Sequence, residues 1–64
     1  MCEASAFLVS EDGNLDLILK DVDIVRPEEG KLYLRDIFGE QKVIEAEIQE
    51  ISLLNHRIVL RKRS

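Results

Sequence analysis

Cys2 is the single cysteine of a 64-residue chain, and it stands directly after the initiator Met1. A thiolate at that position has backbone nitrogens within chelating reach. If Met1 is removed, the α-amine and thiolate of Cys2 close a five-membered ring around a metal. If Met1 is retained, its amine, the deprotonated Cys2 amide nitrogen and the Cys2 thiolate form a different chelate. A soft thiolate with nitrogen donors takes Ni(II), Cu or Zn, and square-planar N/S coordination suits Ni(II) or Cu(II). One chain offers two or three such donors, too few to complete a square. Two chains meeting at a symmetry axis would complete it, so a metal site here and a dimer imply each other. The plainer reading makes Cys2 a small hydrophobe at a strand start, and spacing alone leaves both open.

The neighbouring residues carry the same ambiguity. Glu3 is a solvated strand residue, a carboxylate behind the metal ligands, or an amide nitrogen donor once Met1 is gone. Ala4 and Ala6 are small enough to let two chains approach closely, and equally suit a barrel core. His56, the only histidine, reads in "LLNHRIV" as a turn-capping residue that bonds backbone. It becomes a ligand only if the fold brings it to Cys2.

No other chemistry is spelled out. With one Cys, one His and no serine motif beside them, nucleophilic catalysis lacks its usual parts. There is no glycine-rich phosphate loop, and a multi-Cys/His zinc site in one chain is impossible. The chain is therefore not expected to be an enzyme.

Composition bounds the rest. A chain of this size buries only about 60% of its unfolded surface, so small domains usually need a disulfide, a metal or oligomerisation. One cysteine excludes an intramolecular disulfide. The composition is 45% hydrophobic and 34% charged, with no apolar run long enough to span a membrane and no secretory signal. These features predict one domain over residues 1–64, cytoplasmic, with no membrane partner.

Thirteen acidic residues against nine basic ones give a net charge of −4. All the acids lie before Arg57, whereas "RIVLRKRS" holds Arg57, Arg61, Lys62 and Arg63 and no acid. That basic tail serves solubility and cross-strand pairing with the acidic body, or forms a patch for RNA or an acidic protein partner. Nucleic acid is the weaker expectation. The net charge is wrong, and of the aromatics Phe7, Tyr33 and Phe38 the two phenylalanines are assigned to the core rather than to stacking platforms.

The elements that would position Cys2 read as strands. Turn signals at Glu11–Asn14, Arg26–Gly30, Phe38–Gln41 and Leu53–Arg57 separate short runs rich in branched aliphatics. Asp12-Gly13 is a strong hairpin signal, and Pro27 with Gly30 supplies a second turn. In "VIEAEIQE" Ile44, Ala46 and Ile48 alternate with Glu45, Glu47 and Gln49, which is the period of a half-buried strand. Helix formers are frequent across 39–54, but the β-branched residues and strict alternation favour strand. The phase slips near Glu50, where a bulge is expected. About five short strands joined by tight turns predict an all-β fold, a small antiparallel SH3-like or Sm-like barrel.

The segments "MCEA", "IFGEQK" (Ile37 to Lys42), "ISL" and "HRIVL" (His56 to Leu60) resemble the CooT family, with similarity over nearly the whole chain. The resemblance implies a small Sm/SH3-like barrel and an accessory role in nickel insertion into carbon monoxide dehydrogenase. It further implies a homodimer holding one Ni(II) between two copies of Cys2, with nitrogen donors from Met1, Cys2 or Glu3. The implied partner is the nickel-enzyme maturation machinery, either carbon monoxide dehydrogenase or another accessory protein.

Overall fold

A computed structural model describes residues 3–62. They form six strands: β1 (Ala4–Val9), β2 (Leu15–Glu28), β3 (Lys31–Asp36), β4 (Gln41–Ile44), β5 (Ala46–Ser52) and β6 (Arg57–Lys62). One sheet takes them in the order β4-β3-β2-β1-β6-β5. The helix-forming composition of 39–54 is overridden, and that stretch supplies β4 and β5.

Six strands replace the expected five because "VIEAEIQE" does not run as one. It breaks at Glu45, where the chain bends from pairing with β3 to pairing with β6. This bend also sets the one parallel ladder. The chain reverses at β1/β2, β2/β3, β3/β4 and β5/β6 but not between β4 and β5. An even number of reversals brings β6 back alongside β1 in the same direction, Ser5 opposite Arg57 and Val9 opposite Arg61. The sheet curls into a small fold without a ladder joining its two end strands, so the expectation of a wholly antiparallel barrel is corrected in this detail. The slip expected near Glu50 is present, as a register shift between Ile48 and Glu50 against β6.

β3 shows how the pattern makes the core. Leu32, Leu34 and Asp36 are buried, while Lys31 is exposed and Tyr33 and Arg35 half-buried. Leu34 and Leu60 are the largest fully enclosed side chains, and Ala6, Leu19, Val22, Leu32, Ala46 and Ile58 pack around them. Ala6 is fully buried, so of its two readings the structure supports the core one. Truncating Leu34 or Leu60 to alanine would cost about 2–5 kcal/mol by loss of burial and by the cavity left behind.

The alternation in β5 stops short of expectation. Ala46 is buried, but Ile48 and Ile51 are exposed because β5 is an end strand of the sheet. Phe38 is likewise not core. It is 81% exposed at the tip of the β3–β4 turn, whereas Phe7 is half-buried with the Arg57 guanidinium 5.5 Å from its ring centre.

Candidate functional site

The predicted ligand Cys2 and the alternative donor Met1 lie outside the described residues. Glu3 is exposed, and the chain then enters the sheet at Ala4. The start of β1 has a neighbour on each side. On one side Ala4 pairs with Val22 of β2. On the other the Ser5 amide donates to the His56 carbonyl oxygen at 2.9 Å. Adjacent strands are about 4.8 Å apart, so the start of β1 lies next to the β5–β6 turn.

That turn, Leu53 to His56, is loosely built. The His56 amide reaches the Leu53 carbonyl at 3.4 Å and the Asn55 amide reaches the Ser52 hydroxyl at 3.4 Å. His56 closes it in the left-handed region, with φ of 53°, a conformation in which histidine is better tolerated than most side chains. Leu53 and Leu54 are 82% and 90% exposed. Thus the main chain of His56, through its amide and carbonyl, closes the turn beside the strand that Cys2 precedes.

The β3–β4 turn, Ile37 to Glu40, is built differently. The Asp36 carboxylate, on a residue only 7% exposed, accepts the amides of Phe38 at 2.9 Å and Glu40 at 2.8 Å. The Asp36 amide donates to the Glu40 carbonyl, the Gly39 amide to the Asp36 carbonyl, and the Ile37 amide to the Asp21 carbonyl. Gly39 sits at φ of 90°, which only glycine adopts without strain. Behind the turn the Lys42 ammonium donates to the Ile18 carbonyl at 2.9 Å. Sequence reading missed this arrangement. Its signal was "DIFG", an aspartate placed to bond the amide two residues on.

Among the described residues no group of three or more His, Cys, Asp and Glu side chains could hold a metal ion. The basic tail is partly occupied. Arg61 donates through Nε to Glu47 at 3.2 Å from the directly opposite position in β5, and Arg57 lies over Phe7. The Arg61–Glu47 contact is the cross-strand pairing with an acid expected of a solubilising tail. Lys62 is exposed, and Arg63 lies outside the described residues. No helix of the described residues is long and apolar enough to cross a membrane.

The profile of a family described as CO dehydrogenase accessory protein CooT matches residues 1–61. The chain belongs to the CooT family. A crystal structure of a protein assigned as CooT from Carboxydothermus hydrogenoformans superposes with a TM-score of 0.90 at 46% sequence identity, covering 98% of this chain and 100% of that one. No curated protein matches the chain. CooT-family membership settles two expectations: the chain is an accessory protein of carbon monoxide dehydrogenase, and it is not itself an enzyme. The CooT match extends over Cys2 and over both the β3–β4 and the β5–β6 turns.

Proposed function

We propose that this CooT-family protein binds Ni(II) as cargo, one ion per homodimer, and serves nickel insertion into carbon monoxide dehydrogenase in the cytoplasm. The observation that carries the reading is the family match through residue 61, which includes a cysteine at position 2. Carbon monoxide dehydrogenase is a nickel enzyme. An accessory protein with one soft thiolate beside backbone nitrogens is chemically matched to Ni(II).

The donor set is two Cys2 thiolates, each with nitrogen from the N-terminus or the backbone of Met1, Cys2 or Glu3. One chain supplies two or three of these donors, and a second copy would complete the square. Leu53 and Leu54 stand beside the start of β1. A second copy covering them would bring two chain starts to one axis. In such an isologous contact residues at the axis face their own images, and elsewhere residue i meets j as j meets i. A thiolate near a chain terminus exchanges ligands readily, which suits transfer better than a closed cage. Protons compete for the thiolate and the amine, so nickel loading weakens as pH falls.

Titration of metal-free protein with Ni(II), followed by ultraviolet-visible absorption, tests this. A thiolate-to-nickel charge-transfer band saturating at one metal per two chains is expected, absent from Cys2→Ser while the variant stays folded. Unchanged nickel affinity in Cys2→Ser would overturn the reading.

A further inference from the structure

The apolar surface on the β3–β4 turn is left over once the metal reading has used the start of β1. Phe38 and Leu17 are both exposed and line one shallow depression together with Lys20, Asp21, Asp36 and Glu40. An aromatic ring standing in water on a polar-rimmed surface is the usual form of a protein-docking anchor. What separates Phe38 from an incidental exposed ring is its support. The Asp36 carboxylate, the Asp21 carbonyl and the Lys42–Ile18 contact fix the backbone that presents it. Binding through such a turn loses little conformational entropy.

The charge around Phe38 decides the occupant. Asp21 and Glu40 line the depression beside Lys20, while the buried Asp36 carboxylate is taken up by the turn amides. A second copy docking the same face would bring two acidic rims together with only one lysine from each to offset them, and like charges facing each other across an interface are costly. Docking this face on the basic β6 side of another copy would be head-to-tail, a geometry that closes into a ring or runs on into a filament and does not give a two-fold dimer. We infer that the Phe38 turn is the docking site for a different protein, one that offers an apolar socket rimmed by lysine and arginine. In a carbon monoxide dehydrogenase accessory protein that partner is the enzyme receiving nickel. The inference rests on that client assignment, but not on the identity of the metal ligands.

The test uses the cognate nickel-free carbon monoxide dehydrogenase, immobilised, with the full-length accessory protein as analyte. Wild type is expected to bind, and Phe38→Ala to bind at least about tenfold more weakly, as truncation of an anchor does. Glu40→Lys is expected to slow association and to reduce its sensitivity to salt. Circular dichroism checks that both variants fold, and both should take up nickel at the wild-type stoichiometry. Full binding by Phe38→Ala, or no complex with wild type, overturns the docking site. Conversion of a wild-type dimer to monomer by Phe38→Ala, seen by sedimentation, overturns it in favour of a copy-to-copy contact. A failed nickel titration alongside Phe38-dependent docking would overturn only the metal reading.

Discussion

Two turns expose apolar side chains, and they are made in opposite ways. The β3–β4 turn is cross-braced by a buried carboxylate and ends on a glycine in a left-handed conformation. The β5–β6 turn has two long hydrogen bonds and puts His56 where glycine would be easier. Fixed backbone suits a surface that must present one side chain to a partner in one orientation. A looser turn beside the chain start suits a surface that must adjust as two copies and a metal come together. On the proposed reading the client belongs to the first turn and the second copy to the other.

The largest test of the contrast removes its brace. Asp36→Ala leaves the Phe38 and Glu40 amides without their acceptor in a part-buried site. A hydrogen bond to a charged group is worth about 1.5–3 kcal/mol, and an amide left unsatisfied adds its desolvation cost. Asp36→Ala should therefore lower stability by about 2–3 kcal/mol in chemical denaturation. Ser52→Ala, which removes the 3.4 Å acceptor from the other turn, should cost less than about 0.5 kcal/mol, as exposed substitutions usually do. Equal losses would erase the distinction between the turns.

A second comparison exchanges the left-handed residues. Around Gly39 an added Cβ meets nothing within 4 Å, so the cost of Gly39→Ala is conformational alone, about 1 kcal/mol or somewhat more. His56→Gly relieves a left-handed histidine but loosens the unfolded chain, and the two effects oppose each other. It should lie within about 0.5 kcal/mol of wild type. If His56→Gly instead costs as much as Gly39→Ala, the imidazole is holding the turn through its own contacts.

Legibility in the sequence followed the same division between local and non-local causes. Turns were readable because Gly13, Gly30 and Gly39 all adopt positive φ and each marks a reversal. The slip after Ile48 was readable because a bulge changes the phase of a period-two pattern. The break at Glu45 was not, because a bend that keeps the alternation intact leaves no mark on it. Phe38 was misread because apolarity says a residue gains by burial and not whether its position can reach a core. Its place directly before Gly39, inside a recognised turn, held the correction. The metal reading of Cys2 came from the family resemblance, since residue type and position left the plainer packing reading open. The apolar Leu53–Leu54 pair that would bring two copies together is visible in sequence only as two leucines in a turn, since its neighbour β1 is 48 residues away, counting from Ser5 to Leu53.

The smallest expected effect sharpens what burial adds to the Asp36 device, because the β1–β2 turn repeats it in the open. Asp12 accepts the Asn14 amide two residues on, at 3.3 Å, just as Asp36 accepts that of Phe38, and the Ser10 hydroxyl also donates to it. The Ser10 hydroxyl first, and then the Asn14 amide, hold the Asp12 carboxyl below its ordinary pKa. A carboxylate depressed in the folded state contributes stability above its unfolded pKa and loses it as pH falls through the folded value. Asp12 is fully exposed, so water competes for each of these bonds and the loss in acid should be slight. Carbon-detected NMR titration should show Asp12 ionising at lower pH than an unstructured aspartate, with Ser10→Ala moving it back up and leaving the denaturation midpoint at neutral pH nearly unchanged. If Ser10→Ala destabilises the fold as Asp36→Ala is expected to, the geometry of the turn and not its burial carries the energy.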